Sequence, residues 1–338
     1  MERNSSSPSG ALFARVFRGA HVESWHRGSL VVVQDDKVVR SYGDPDLPIW
    51  CRSAVKPFQA LPLLERGVAE RLGFGDREIA LLSASHEGSE RHVAIVRGML
   101  ERGGLDAEQL LCGPHVPFDK GAAGELARRG ERPGRVHNNC SGKHTGFLLL
   151  ARELGVDPAH YLDPESAGQM LVRETLAAMA GVDPVTLDVA VDGCGAPTFR
   201  MPLLALARAF ARLGTPKDLP LPRAVACKRL LDAISAEPFY LAGQGRICLA
   251  LIESARGRVY PKNGAEGVYA LALPGTGIGV ALKVDDGNER GYLPVVVEVL
   301  LRLGLWPEVP QRLEEFRRIP VRNTQKRVVG HVVSALSW

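Results

Sequence analysis

Residues 51–59 read CRSAVKPFQ, and Ser53 and Lys56 stand three positions apart where turn-rich sequence gives way to a helical pattern. Residues i and i+3 share one face of a helix, with Cβ atoms about 5–6 Å apart, so a lysine there can reach the serine oxygen. A neutral lysine amine can act as the base that activates a serine nucleophile. A chain of this length holds about one Ser-x-x-Lys by chance. Taken alone, the pair therefore favours a helix cap with a solvated lysine.

The composition indicates an ordinary soluble globular protein. The chain has 338 residues, of which 45% are hydrophobic and 24% charged, and its formal net charge is +4. This length supports a sizeable core, and we expect one catalytic unit over residues 1–338. No dense run of Lys and Arg with interleaved aromatics occurs, so nucleic acid is not the expected partner. No segment approaches the about 18 consecutive apolar residues of a membrane helix, so no membrane partner is expected either.

The first residues, MERNSSSP (1–8), are polar and lack the apolar core of a signal peptide. We expect them to form a short disordered lead, and we expect a cytoplasmic protein. Cysteines are reduced in that compartment. The six cysteines are too sparse for a disulfide scaffold, so an exceptional one is a candidate metal ligand or reactive thiol.

Residues near both ends of the chain have sequence patterns typical of β-strands, whereas the middle has helical patterns. Short β-branched runs separated by turns occupy about 9–45 and 256–338, and helical patterns occupy about 53–235. Neither set of strands can cover its own edges. We therefore predict one antiparallel sheet built from both ends, with a large helical block inserted between them. Within that block, residues 112–139 are expected to be loop-rich, and Asp163 is expected to cap a helix that runs to Ala180.

Two further polar elements follow the Ser53–Lys56 pair along the chain. Ser85 lies in SASHEG (83–88), between helical patterns, and Lys262 lies in KNG (262–264), beside the returning strands. This order is the one found in β-lactamases and penicillin-binding proteins. Burial and a nearby cation both lower the pKa of a lysine, which is what a lysine base requires. Taken individually, Ser85 is better explained as a helix cap and Lys262 as a surface residue of a strand.

Two cysteines lie in unusual surroundings. Cys140 belongs to HNNCSGKHTG (137–146), which is rich in metal-capable groups, and Cys194 belongs to VDGCGAPT (191–198), where glycines bracket it. Reduced cysteines either bind zinc or stay inert in a core. For two lone cysteines about fifty residues apart, the pattern alone favours the inert interpretation.

Taken together, these segments resemble the Rhizobium-type L-asparaginases of the asparaginase II family. The resemblance extends from about residue 9 to 335. It is carried by five stretches, namely RSAVKPFQA (52–60), SASH (83–86), CGPH (112–115), HNNCSGKH (137–144) and DGCGAP (192–197).

The resemblance implies a serine-β-lactamase-like fold, a homodimer, and hydrolysis of L-asparagine to L-aspartate and ammonia. It implies four catalytic residues, namely Ser53, Lys56, Ser85 and Lys262. It implies a zinc site that is not itself the chemical catalyst, held by Cys140, Lys143 and Cys194. The resemblance also implies that Arg52, His144 and Asp192 contact the substrate. An amino-acid substrate needs a cation for its α-carboxylate and an acid for its α-amine.

Two alternatives of different kinds stay open. One is another Ser-Lys acyl hydrolase, either a glutaminase or a β-lactamase-like enzyme. The other is a zinc-binding protein without catalysis, in which Cys140 and Cys194 matter and Ser53 does not. Ammonia release from asparagine, with and without Ser53, separates these alternatives.

Overall fold

The computed structural model describes residues 10–338, so the disordered lead predicted for residues 1–8 lies outside the described part. Its strands are β1 (Ala11–Arg18), β2 (His21–Gln34), β3 (Lys37–Tyr42), β4 (Pro48–Trp50), β5 (Asp188–Val191), β6 (Pro197–Pro202), β7 (Tyr260–Asn263), β8 (Val268–Leu273), β9 (Ile278–Val284), β10 (Arg318–Arg322) and β11 (Val328–Ser334). Its helices are α1 (Lys56–Glu65), α2 (Val68–Arg71), α3 (Asp76–Leu82), α4 (Glu90–Arg102), α5 (Lys120–Arg128), α6 (Ser141–Glu153), α7 (Ala167–Ala180), α8 (Leu203–Gly214), α9 (Leu221–Ala236), α10 (Ile247–Ala255), α11 (Glu289–Arg302) and α12 (Glu314–Arg317).

Strands from both ends of the chain form one sheet. Its strand order is β10-β11-β1-β2-β9-β8-β7, with β3 also paired to β2. Every neighbouring pair is antiparallel. The predicted fold class, an antiparallel sheet from both ends with an inserted helical block, is therefore confirmed.

The centre of the sheet is the second half of β2. Residues 30–33 read LVVV and are fully buried, as expected for a strand covered on both sides. This half pairs with β9 on one side and with β3 on the other. Helix α8 packs against β2, β8 and β9, and α11 packs against β1, β9 and β11. The main core therefore lies between this sheet and the helices.

A second, small sheet lies beside the helical block. It has three antiparallel strands in the order β4-β6-β5, and the sequence patterns did not predict β4 or β6. Immediately after β4, the Cys51 N–H donates to the Phe199 carbonyl at 2.9 Å. This small sheet therefore fixes the chain just before Ser53.

Two local predictions inside the helical block were wrong. The span 112–139 contains α5, whose first turn is capped by the Asp119 side chain. Helix α7 begins at Ala167 rather than near Asp163, because the Ser166 side chain caps it by accepting from the Gln169 N–H. The Asp163 carboxylate instead caps a turn, where it accepts from the Glu165 N–H at 3.0 Å.

Across residues 10–338, no helix combines the length and the apolar character needed to cross a bilayer.

Candidate active site

Ser53 lies on a 3₁₀ turn, Arg52–Val55, that leads directly into α1. The Lys56 N–H donates to the Ser53 carbonyl, and Pro57 occupies the first turn of the helix, where its missing N–H costs nothing. Ser53 is partly exposed, whereas Lys56 is 1% exposed. A reachable hydroxyl therefore stands one turn before a buried amine, as the spacing predicts.

The amine of Lys56 is surrounded by three acceptors. Lys56 Nζ lies 2.6 Å from the Ala84 carbonyl, 3.0 Å from Ser85 Oγ and 3.2 Å from Cys140 Sγ. No hydrogen bond joins Lys56 to Ser53 Oγ within residues 10–338. Three acceptors match the three N–H bonds of an ammonium group. These contacts hold the Lys56 amine between the Ser85 loop and Cys140.

A second lysine reaches the same serine from the main sheet. Lys262, on β7, is 1% exposed, and its Nζ lies 2.9 Å from Ser85 Oγ and 2.8 Å from the Asn263 carbonyl. Burial, together with the charge of Lys56, lowers the pKa of Lys262 to about 7. Near neutral pH, Lys262 can therefore both accept and release a proton, with the Ser85 hydroxyl as the bridge to Lys56.

Arg52 and Asp192 form an ion pair at the edge of this cluster. Arg52 Nε and Nη2 lie 2.9 and 2.8 Å from the same carboxylate oxygen of Asp192, which also accepts from the Gly193 N–H. Burial raises the pKa of Asp192, but the charges of Lys143 and Arg52 and the Gly193 N–H outweigh it and lower the pKa. Arg52 adopts a left-handed φ of +49°, which is uncommon for a residue with a side chain. Such strain is often found next to functional residues.

The two cysteines singled out in the sequence meet in the interior. The Cys194 thiol donates to Cys140, which raises the pKa of Cys194 and lowers that of Cys140 well below its usual value. Lys143 Nζ lies 3.2 Å from Cys194 Sγ. Burial lowers the pKa of Lys143, but the charges of Cys194, Cys140 and Asp192 outweigh it and raise the pKa. The three predicted metal ligands therefore form one contact group.

A glycine allows α6, which carries Lys143 and directly follows Cys140, to approach its neighbour. A Cβ atom on Gly142, at the start of α6, would lie 2.5 Å from the Leu81 carbonyl at the end of α3. No larger residue fits there without a shift. Since α3 leads into the loop of Ser85, and Cys140 directly precedes α6, this close packing brings the Cys140 thiol beside Lys56.

His144 is fully buried, and one of its ring nitrogens has no partner. His144 Nδ1 lies 2.7 Å from Tyr161 Oη, which itself accepts from the Leu111 N–H at 2.7 Å. A Tyr161 hydroxyl that donates to His144 Nδ1 places the imidazole proton on Nε2. That Nε2–H is a buried donor without a partner in the described residues. Burial and the charges of Lys143 and Lys56 hold the pKa of His144 well below its usual value, so the ring is neutral.

Sequence reasoning missed two residues that hold this site. Tyr161 was not singled out, and no motif signals its contact with His144. His86 was quoted only as part of a motif, yet its Nδ1 accepts from the Gly88 N–H and its Nε2 lies 3.0 Å from Ser141 Oγ. The side chain of His86 therefore joins the Ser85 loop to the start of α6.

The donor set can be compared with the needs of zinc. Within residues 10–338, no group of three or more His, Cys, Asp and Glu side chains is placed to hold a metal ion. Two sulfurs and one amine are nevertheless in contact, at Cys140, Cys194 and Lys143. Two thiolates suit zinc, and a neutral lysine amine can supply a third donor. The residues present therefore fit a zinc ion only if Lys143 loses its proton.

The structure thus brings the predicted residues into one region. Hydrogen bonds and the ion pair link Lys262, Ser85, Lys56, Cys140, Cys194 and Lys143 in one chain and Arg52 with Asp192 in a neighbouring pair. Ser53 lies one turn from Lys56, and His144 directly follows Lys143 on α6.

The chain matches a known protein family and is similar to several solved structures. The family described as L-asparaginase II matches residues 14–334. No curated protein matches the chain. Among solved structures, Mglu in its glutamate form is 16% identical, with 82% of this chain and 61% of Mglu aligned and a TM-score of 0.47. A beta-lactamase from Mycobacterium bovis is 14% identical, with 82% and 95% aligned and a TM-score of 0.43.

The chain covers 60% and 64% of the length of the two native-form Mglu structures. The family match, by contrast, spans nearly the whole of this chain. Since it includes the strands at both ends and every residue of the cluster around Lys56, this protein belongs to the L-asparaginase II family.

Proposed function

We propose that this protein hydrolyses L-asparagine to L-aspartate and ammonia, with Ser53 as nucleophile and Lys56 as its base. The observation that carries the proposal is the convergence of two buried lysines on the Ser85 hydroxyl, one of them three residues after Ser53. Lys56 and Lys262 lie 3.0 and 2.9 Å from Ser85 Oγ. Burying two neighbouring amines is costly even when they are hydrogen-bonded, and such arrangements are typical of functional sites. Amide hydrolysis can use them, because it needs groups that accept and return protons.

The charges around the site suit an amino acid. The cation of Arg52 would receive the α-carboxylate, and the carboxylate of Asp192 would receive the α-ammonium group. The unpartnered Nε2–H of His144 would donate to a substrate oxygen, which would satisfy a buried donor that otherwise costs free energy. A substrate of this class would therefore find a cation and a carboxylate in the Arg52–Asp192 pair and would give the buried His144 nitrogen a partner.

Acylation follows from this placement. Ser53 Oγ attacks the side-chain amide carbon of asparagine, and its proton passes to Lys56 in the neutral form. The tetrahedral adduct then expels the amide nitrogen, which takes up that proton and leaves as ammonia. The product of this half-reaction is a β-aspartyl ester on Ser53.

Deacylation reverses the roles. A water molecule attacks the ester carbon, its proton passes to the lysines, and Ser53 leaves with a proton as the free hydroxyl. The Ser85 hydroxyl, which contacts both amines, would pass protons between Lys56 and Lys262. A group with a pKa near the working pH is the most effective proton acceptor and donor, and Lys262 has a pKa of about 7.

A zinc ion is part of the proposal, held by Cys140, Lys143 and Cys194. When bound, it supplies positive charge next to the substrate site and fixes the pocket, and it is not needed for the Ser-Lys chemistry. The chain's own residues still bind the substrate and move the protons. We also propose a homodimer, for which light scattering after size-exclusion chromatography is the measurement.

Ammonia release is the direct test. The protein is incubated with L-asparagine, L-glutamine or a β-lactam, and ammonia or opened lactam is measured for the wild-type chain and for Ser53→Ala. We expect release from asparagine that depends on Ser53. Equal or greater activity on glutamine or on the β-lactam would favour the other Ser-Lys hydrolases.

A non-catalytic zinc protein is the second candidate, and the contact group of Cys140, Lys143 and Cys194 is the observation that favours it. It predicts metal binding that is lost in Cys140→Ala and no ammonia release from any amide. The same preparations answer both questions.

A further inference from the structure

A cavity of about 590 Å³ adjoins the Ser53 segment and is not used by the steps above. We name it the Trp50 cavity. Its lining includes Trp50, Arg52, Val191, Glu266, Lys283 and Asp285. Its volume lies within the range of small-molecule sites, about 300–1,000 Å³.

The Trp50 cavity and the candidate nucleophile share one segment of backbone. Trp50 and Arg52 line the cavity, and Ser53 is the next residue. On the opposite side, a Cβ atom on Gly264 would lie 3.0 Å from the Cys51 carbonyl and 3.4 Å from the Ala54 nitrogen. The turn that begins at Gly264 therefore packs on this segment and brings Glu266, two residues later, to the cavity.

Arg52 is the link between the two spaces. Its side chain pairs with Asp192 and also lines the cavity, whereas Asp192 does not line it. In the proposed function, Arg52 receives the carboxylate end of asparagine. A group attached at that end, through a peptide bond, would therefore extend into the Trp50 cavity. The free α-ammonium group would still face Asp192.

The cavity has an apolar wall. Trp50 is 37% exposed and Val191 is 76% exposed, so both present apolar surface to water. Trp50 pairs with Arg200 across the small sheet, and Thr198, two residues away on the same strand, lies on the same face. Aromatic surface next to a candidate site is typical of ligand contacts. An apolar side chain would cover it.

The cavity also has a cation without an ion-pair partner. Lys283 lies on β9, and within the described residues no carboxylate reaches its amine at ion-pair distance; Lys283 Nζ donates to the Val284 carbonyl instead. Asp285, by contrast, already accepts from the Gly10 N–H. One carboxylate on a ligand could pair with Lys283, whereas a second would meet the carboxylates of Glu266 and Asp285.

From these observations we infer that the Trp50 cavity binds the residue that follows asparagine in a short peptide, and that this residue is apolar. The inference rests on the proposed function. For L-Asn-L-Leu, the leucine side chain would lie on Trp50 and the terminal carboxylate would pair with Lys283. The reaction is unchanged. Water and the asparagine side-chain amide give L-Asp-L-Leu and ammonia, and the peptide bond stays intact.

The test compares kcat/KM for ammonia release from L-Asn, L-Asn-L-Leu and L-Asn-L-Asp. We expect L-Asn-L-Leu to be deamidated and L-Asn-L-Asp to be at least about tenfold poorer, because its second carboxylate meets Glu266 and Asp285. Trp50→Ala and Lys283→Gln should each lower kcat/KM for L-Asn-L-Leu by about tenfold, a typical loss for one specific contact, and should change it little for L-Asn. Trp25→Ala, at another exposed tryptophan, is the matched control.

Two results would overturn the inference. One is ammonia from L-Asn but none from L-Asn-L-Leu. The other is L-Asn-L-Leu activity that Trp50→Ala and Lys283→Gln leave unchanged. If no substrate releases ammonia, the proposed function fails instead. Calorimetry of L-Asn-L-Leu with the wild-type and Trp50→Ala proteins then tests the cavity directly. Binding to the wild type that Trp50→Ala abolishes would support the inference. No binding, or binding that does not depend on Trp50, would overturn it.

Discussion

The side-chain nitrogen of Lys56 lies 3.2 Å from the sulfur of Cys140. The candidate base and a candidate metal ligand are therefore direct neighbours, although 84 positions separate them in the sequence. A change at either residue alters the surroundings of the other. Experiments on the metal and on the nucleophile must consequently be interpreted together.

The first prediction concerns Ser53 and Lys56. Ser53→Ala and Lys56→Met should each lower kcat/KM for L-asparagine by about 10⁴-fold or more, because removal of a nucleophile or its base abolishes the covalent route. Steady-state ammonia release measures this loss. Ser41→Ala and Lys37→Met, at exposed positions on β3, are the matched controls. Near-normal activity in Ser53→Ala would show that Ser53 is not the nucleophile.

The second prediction concerns the pH dependence of activity. Lys262 has a pKa of about 7, so activity that needs its neutral form should rise as pH increases through about 7. Lys262→Met should lower kcat by about 10²–10⁴-fold, as expected for a proton-transfer group. A pH profile of kcat from pH 5 to 9 measures both effects. An unchanged profile in Lys262→Met would contradict this role.

The third prediction concerns the pH dependence of stability at the same residue. Lys262 loses its proton near pH 7 in the folded state, whereas a free lysine keeps it up to about 10.5. Between these values the unfolded chain binds more protons, so this group makes the free energy of unfolding rise with pH and adds nothing further below 7. Urea unfolding at pH 7 and 9 measures this free energy. From pH 7 to 9, the free energy of unfolding should rise less, or fall more, in Lys262→Met than in the wild type.

Buried cysteines and tyrosines with raised pKa values have the opposite effect, because they lower the free energy of unfolding as pH rises above about 8. The comparison of wild type with Lys262→Met removes their contribution. If the wild type and Lys262→Met differ in the free energy of unfolding by the same amount at every pH, the pKa of Lys262 is not lowered.

The fourth prediction concerns zinc. Its ligands must lose protons before they bind, so metal content should fall as pH decreases from 8 to 6. Cys140→Ala and Cys194→Ala should each lose the metal and stay folded, whereas Cys227→Ala, at a buried cysteine elsewhere, should keep it. Mass spectrometry of the dialysed proteins measures metal content. Full content in the Cys140→Ala, Cys194→Ala double variant would exclude this site.

The fifth prediction concerns Tyr161. Tyr161→Phe removes the hydroxyl that lies 2.7 Å from His144 Nδ1, so the imidazole proton is no longer held on Nε2. KM for asparagine should rise by about tenfold, the value of one charge-assisted or well-placed hydrogen bond, with a smaller change in kcat. Nitrogen-15 NMR of the imidazole should show a mixture of tautomers. Tyr42→Phe, which loses a surface hydrogen bond to the Ser337 carbonyl, is the control.

The sequence predicted the features that depend on local spacing. The Ser53–Lys56 pair lies within one turn, and the glycines around Cys194 mark a bend, so both are visible without the fold. The main sheet was also predictable. Strand patterns concentrate near the two ends of the chain, and neither set has enough strands to cover its own edges, so the two sets are expected to pair. The first two features depend on residues a few positions apart, and the sheet depends on the general need of exposed strand edges for partners.

Contacts between distant segments could not be predicted in this way. Nothing near Tyr161 indicates that its hydroxyl faces His144, because that contact depends on how the loop before α7 packs on α6. The small sheet was missed for a similar reason. β4 has only three residues, Pro48–Trp50, and it is a strand only because β6 lies beside it. Helix α5 is short, and its Asp119 cap lies within a polar, proline-containing stretch.

The pairing of β1 with β11 has a consequence for how the chain folds during synthesis. Residues Ala14–Val16 pair with Val332–Ser334, so β1 has no partner on that side until nearly all of the chain has left the ribosome. The helical block, whose contacts are mostly nearer in sequence, can compact before that. Lys262, on β7, joins Ser85 across 177 positions. The nascent chain should therefore be inactive and exposed to aggregation through its early strands until the late strands arrive, a typical burden of long-range pairing.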